Sequence, residues 1–160
     1  MNKNILYIFL LALFFSACEK DDICLLPTTP NLILRFYDNT TQDDLKPVER
    51  LSVWAEGKDT IFDYTNVSLD SIAIPLNTDT PETTYHFKMN SVDGNIVNNI
   101  NNTITIKYTP EDVFVSRSCG FKTIFNNVTI TSDNNWIQSI TPATLTTIDN
   151  ETAAHVKIFH

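Results

Sequence analysis

The chain has 160 residues, with 11 Lys and Arg against 19 Asp and Glu and a formal net charge of −8. That acidity argues against polyanionic partners, nucleic acid and anionic lipid alike, and by itself does not imply cation binding. The length suits one domain with a real core.

The chain opens with Lys3 as a positive n-region, followed by Ile5 to Phe15 with no polar group but the Tyr7 hydroxyl. That run of about 11 residues has the length of a signal-peptide core and falls well short of a spanning helix, which needs roughly 20. It ends Phe15-Ser16-Ala17-Cys18, small residues ahead of a thiol that can accept a diacylglycerol. We read residues 1–17 as a lipoprotein signal and Cys18 as the lipid-bearing first residue of the mature chain. An ordinary signal peptide cleaved after Ala17 is the alternative. The charged run Glu19-Lys20-Asp21-Asp22 must leave the hydrocarbon at once. Lipid tails supply membrane affinity, so the domain itself need carry no membrane-binding surface. Residues 18–30, which include Pro27 and Pro30, form the lipidated tether. The β domain occupies 31–160.

With Cys18 lipidated, Cys24 and Cys119 remain. In an oxidising compartment two leftover thiols are most simply a disulfide, here closing a loop of roughly 95 residues. A metal site would want further Cys or His at ligand spacing, and a catalytic thiol a neighbouring base.

Beyond Asn31 the hydrophobic period is two. Leu32, Leu34 and Phe36 share one face of a strand, and Leu51, Val53 and Ala55 one face of the next. Only Asp43 to Arg50 could form a helical turn, and Pro47 interrupts it. Gly57-Lys58-Asp59 reads as a turn with Thr60 to Tyr64 as the return strand of a hairpin. Ile72, Ile74 and Leu76 alternate up to Pro75, which favours a strand end or a sheet edge. Tyr85, Phe87 and Met89 follow, then a loop around Val92 to Asn95, then Ile104, Ile106 and Tyr108, a strand expected to end at Pro110. Val113 and Val115 read as a short strand. Cys119 to Phe125 follows, with Val128 and Ile130 continuing it or forming the next one. Trp136 to Ile140 is a weak candidate strand, and His155 to Phe159 closes the chain. Eight or nine short strands without a sustained helical period predict an all-β fold, an antiparallel β-sandwich of immunoglobulin-like or transthyretin-like type. A small β-barrel is the alternative, disfavoured by only 3 glycines for its corners.

Several stretches carry a likeness. Cys18 to Cys24, Thr28 to Leu32, Ser71 to Leu76, Val115 to Thr123 and His155 to Ile158 resemble a set of small Bacteroidota lipoproteins classed as a domain of unknown function. The acidic, lysine-bearing run after Cys18 is similar to the tract of surface-exported lipoproteins in that group. The resemblance implies a lipid-anchored envelope protein, in the outer membrane and with surface exposure as one option. It makes the Cys24 and Cys119 pair part of the frame and brings no catalytic residues.

Candidate sites are few. His86, His155 and His160 lack partners at ligand spacing, so no metal and no cofactor are expected. Asp43, Asp44, Asp59, Asp63, Asp93 and Asp133 sit in turns, where Asp bonds nearby backbone; a loop calcium site is the alternative reading. No Gly-x-Ser-x-Gly nucleophile turn occurs. Trp136, which follows Ser132-Asp133-Asn134-Asn135, and Trp54, on the side of its strand opposite Leu51, Val53 and Ala55, are candidate ligand-binding residues, since an indole face stacks on sugar C–H groups; burial in the core is the competing reading. Thr60 in Asp59-Thr60-Ile61 and Ser71 in Asp70-Ser71-Ile72 match the Asp-Ser/Thr-apolar acceptor for O-glycosylation. The expectation is a non-enzymatic accessory or protein-binding module held to the membrane by its lipid. A carbohydrate-binding surface lipoprotein is the alternative, and an enzyme the weakest of the three.

Overall fold

A computed structural model describes Cys24, residues 28–90 and residues 92–160. The signal segment 1–17 and the lipidation residue Cys18 lie outside the described residues. Among the described residues ten strands run β1 Leu32–Tyr37, β2 Val48–Ala55, β3 Val67–Leu69, β4 Ser71–Ile74, β5 Glu82–Met89, β6 Ile100–Ser116, β7 Gly120–Ser132, β8 Ser139–Thr141, β9 Thr144–Ile148 and β10 Val156–Phe159. Among the described residues there is no α-helix, only 3-10 turns at Phe62–Tyr64 and Ile96–Asn98.

The strands form two sheets, a four-stranded one in the order β4-β1-β10-β8 and a six-stranded one in the order β3-β2-β5-β6-β7-β9. Neither closes on itself, so the fold is a sandwich and not a barrel. All pairings are antiparallel except β1 with β10, where Leu34 lies opposite Val156 and Phe36 opposite Ile158. The period of two explains the layering, because alternate side chains from both sheets meet in one buried cluster. Leu32, Leu34, Phe36, Ile72, Ile74 and Ile158 come from one sheet, and Leu51, Val53, Phe87, Ile104, Ile106 and Phe125 from the other. Truncating a fully buried ring such as Phe36 or Phe87 to Ala would cost about 3–5 kcal/mol, the lost transfer energy plus a cavity.

The local readings differ from the structure at several points, each with a cause. Thr60 makes a single bridge to Trp54, and Phe62–Tyr64 then turns as a 3-10 helix where a return strand was expected. Ile61 and Tyr64 both pack on the core, and a three-residue repeat puts them on one side, which strand alternation would not. The Tyr64 hydroxyl then bonds both the N–H and the carbonyl of Ala73 on β4. Residues 43–50 hold no helix, and β2 begins at Val48. Pro110 does not end β6. The first residue of β5 pairs with Lys107, so Pro110 falls past the strand that would have needed its N–H. β6 therefore continues to Ser116, paired with β7. Trp136 and Ile137 are both buried in the crossover that precedes β8, not on alternating faces of a strand.

Among the described residues three register shifts mark the six-stranded sheet: one between Phe114↔Phe121 and Ser116↔Gly120, where β6 carries the extra residue, and two more beside left-handed residues. Between Lys107↔Thr129 and Thr109↔Asn126, β7 carries one extra residue, and Asn127 takes up a φ of 53°. Between Val48↔Leu69 and Leu51↔Val67, β2 carries the extra residue, and Arg50 sits at a φ of 49°. Left-handed backbone is uncommon for Arg and marks a position that its surroundings enforce.

Candidate functional site

β5 ends and β6 begins at the same pole of the sandwich, because Met89 pairs with Ile100. The loop between them carries three large apolar side chains in water. Val92, Ile96 and Val97 are 68%, 81% and 83% exposed. Exposure of this kind follows from how the loop is held. Asn90, itself buried, accepts at its Oδ1 from the N–H groups of Val92, Asp93 and Gly94, and its Nδ2 donates to the carbonyl of Asn95 and to Asn99 Oδ1. Asn95 caps the short 3-10 turn by accepting from the Val97 N–H. Asp93 accepts from Asn98 Nδ2 and the Asn95 N–H, bonds that hold its carboxyl below the usual carboxylate range. The polar side chains are thus turned inward on the loop's own backbone, and the apolar ones are left in water.

Beside this loop lies a cleft of about 640 Å³ lined by Lys46, Pro47, Glu49, Arg50, Ser68, Met89, Trp136 and His160. The bulge at Arg50 aims the guanidinium at the loop, where Nη1 donates to the Asn90 carbonyl at 3.0 Å. Gly94 fits against it at a φ of 80°, and a Cβ there would stand 3.3 Å from Arg50 Nε. Lys46 donates to the His160 carbonyl at 2.9 Å and pairs with Asp38 at 3.1 Å. His160 Nε2 lies 3.1 Å from the Lys46 carbonyl and so carries the proton that donates to it. Burial pulls the His160 pKa down, since a charged ring would lose hydration there. Trp136 is 5% exposed, its indole N–H donates to the Phe87 carbonyl, and the His160 ring meets it edge-on at 5.5 Å. Trp136 therefore contributes to the wall of the cleft and offers no open ring face.

The other sequence candidates lie elsewhere. Trp54 is half-buried on the outer face of the six-stranded sheet, stacked on His86 with centroids 5.3 Å apart. His86 Nε2 bonds Glu56 Oε2, so aromatic, imidazole and carboxylate form one surface row. Trp54 and Trp136 are not brought together: one faces outward, the other is packed at the pole. Thr60 is exposed beside the Gly57 turn, whereas Ser71 is half-buried and its hydroxyl donates to the Leu34 carbonyl. His155 accepts the Ile33 N–H at Nδ1 and donates from Nε2 to the Asn150 carbonyl, splicing β1 to the approach of β10. Among the described residues no three His, Cys, Asp or Glu side chains cluster as metal ligands would. Arg50, Asn90, His160 and the apolar loop were not singled out from sequence. The signal available was Ile96 and Val97 placed inside a stretch otherwise built from Asn, Asp and Gly.

At the opposite pole Cys24 and Cys119 are joined as a disulfide, with Cα atoms 4.9 Å apart and a sequence separation of 95. The bridge ties the chain just ahead of β1 to the turn of the β6–β7 hairpin. A family model described as a family of unknown function (DUF6452) matches residues 50–160. No curated protein and no solved structure matches the chain.

Proposed function

The chain belongs to a family of unknown function (DUF6452), and from that premise we propose that it is a lipid-anchored envelope protein, non-enzymatic, that binds another protein through the pole opposite its anchor. The observation that carries this reading is the loop at residues 92–97, where three apolar side chains stand in water on a backbone pinned by Asn90. A rigid apolar loop pays little ordering entropy on binding, and large exposed apolar groups rimmed by polar ones are typical of protein contacts. The adjoining cleft adds Arg50 and Met89, residue types enriched at interfaces. Lipidation of Cys18 would hold the tether end at the membrane and leave this pole facing away from it.

Capture from solubilised envelope with the intact chain and with an Ile96→Asp/Val97→Asp pair tests the reading. Both positions are exposed, so the pair should cost at most about 1 kcal/mol and melt within about 5 °C of the parent. A partner recovered by the parent and lost by the pair is expected; equal recovery by both would remove the loop from the account.

A glycan-binding reading has one specific observation behind it, the Trp54–His86 stack with Glu56 beside it. An aromatic face with a flanking carboxylate suits a sugar ring and its hydroxyls. Binding on a glycan array that disappears with Trp54→Ala supports it, and silence of the parent protein removes it.

A further inference from the structure

We propose that the tip of the β6–β7 hairpin is a membrane-contacting wedge, in which Phe114 and Phe121 enter the lipid interface beside the acylated N-terminus. The proposal rests on the lipid-anchor reading above and goes beyond it, since an anchor alone requires no membrane contact from the domain.

The hairpin outruns its sheet. β5 starts on one flank with Glu82 opposite Lys107, and β9 ends on the other with Ile148 opposite Phe125. The pairs from Glu111↔Ile124 to Ser116↔Gly120 therefore form a two-stranded ribbon with no further named strand beside it. Alternation carries the core-facing side of β7 out along this ribbon. On that side Phe125 is 0% exposed, Thr123 8% and Phe121 67%. The core face thus passes into solvent within four residues, because the opposing sheet has ended. Phe114, directly opposite Phe121, is also 62% exposed, and the two rings meet edge to face at 5.5 Å.

Chain geometry says what covers the pair. Phe121 is two residues from Cys119, whose sulfur is bonded to Cys24. Cys24 stands six residues after Cys18, and a fully extended chain advances at most about 3.6 Å per residue, so the acylated residue lies within roughly 22 Å of the hairpin turn. The Thr123 N–H donates to Thr29 Oγ1 at 3.0 Å, a second attachment of the tether to the ribbon. An anchor at Cys18 therefore keeps this end of the molecule within tether reach of the bilayer, while the pole at residues 92–97 stands roughly 55 Å away along β6. Charge is sorted in the same sense. Arg117 is exposed at the turn, where it can meet lipid phosphate. Glu111 and Asp112 sit at the base of the ribbon, accepting hydrogen bonds from Asn126 Nδ2 and Thr123 Oγ1, each at 2.7 Å. The net acidity of the domain keeps the rest of its surface from adhering to anionic lipid, which leaves the apolar ribbon as the point of contact.

The test uses the full chain, processed in its native envelope, purified and reconstituted into phosphatidylcholine vesicles with or without bromine on the acyl chains. Phe121→Trp adds an indole at an exposed site, and the parent protein, with Trp54 and Trp136 only, supplies the background. Peptide mass at Cys18 reports the anchor separately. With Cys18 acylated, we expect the added emission to be blue-shifted and lost in the brominated vesicles, with the parent emission unchanged. Acylated Cys18 with an unquenched, water-like indole overturns the wedge and leaves the anchor standing. A blue-shifted but unquenched indole also overturns it, and assigns the ribbon to a second copy or another protein. An unacylated Cys18 overturns the anchor and the wedge together.

Discussion

Asn102→Ala should be among the most damaging single substitutions of a polar residue in this chain. Asn102 is fully buried on β6, and its Oδ1 accepts from three successive backbone N–H groups, Asn135 at 2.9 Å and Trp136 and Ile137 at 3.3 Å. Its Nδ2 donates to Ser132 Oγ at 2.7 Å. One amide thus holds the crossover that takes the chain from β7 in one sheet to β8 in the other. Truncation removes the acceptor, and water can reach Asn135, which is exposed, far more easily than Trp136 or Ile137. Two buried N–H groups left without partners cost about 1–3 kcal/mol each, so we expect a loss of about 2–6 kcal/mol. That is a large part of the roughly 5–15 kcal/mol a domain holds in total, and at about 3–5 °C per kcal/mol the thermal midpoint should fall by about 6 °C or more. Urea unfolding followed by circular dichroism measures it. Tryptophan emission under native conditions should shift red as Trp136 loosens. Asn101→Ala is the control, an exposed neighbour that contributes only its backbone carbonyl to Asn135. A cost for Asn102→Ala below about 1 kcal/mol, or equal to that of Asn101→Ala, would refute this account of the crossover.

Other expectations follow from the same structure. Cys119→Ser opens a loop of 95 residues, for which chain entropy gives up to about 4.7 kcal/mol; denaturation with and without reductant measures it, and coincident curves would contradict it. His160 has its pKa lowered by burial, so the fold favours the neutral ring. Its contribution is intact above the ordinary histidine range and is lost as pH falls through that range and below it, so the parent should lose stability relative to His160→Gln between about pH 7 and 5. A pH-independent difference between the two would count against this. Asn90→Ala should speed amide hydrogen exchange at Val92, Asp93 and Gly94 while leaving β1 protected, and unchanged rates would mean the loop is held by something else.

Most of the layering was legible because alternation is a local signal. Leu32, Leu34, Phe36, Ile72, Ile74, Leu76, Ile104, Ile106 and Tyr108 are grouped on common faces by period alone, and all are buried, while Ala55 and Met89, grouped in the same way with Val53 and Phe87, are half-buried at their strand ends. What escaped that reading depends on neighbours far along the chain. Pro110 looks like a terminator until it is known that β5, which starts at Glu82, reaches along β6 only as far as Lys107. Phe121 and Phe125 are indistinguishable by pattern, yet one is exposed and the other buried, because the second sheet reaches only one of them. Strand β9, Thr144–Ile148, went unread since four of its five residues are Thr or Leu in weak alternation beside only one fully buried side chain, Ile148. The apolar loop escaped for a related reason. Ile96 and Val97 are ordinary core residue types, and only the inward grip of Asn90 shows that they face water.

The length of β6 has a mechanical consequence. Its 17 residues begin at the apolar loop and end at the turn stapled to Cys24, so one strand joins the two poles over roughly 55 Å. A tug exerted on the loop against a fixed Cys24 would run along this strand, and the ladders to β5 and β7 would be loaded in parallel rather than opened bond by bond. Such a strand resists like a rope spliced along its length, and it would transmit tension from one pole to the other before the sandwich itself began to part.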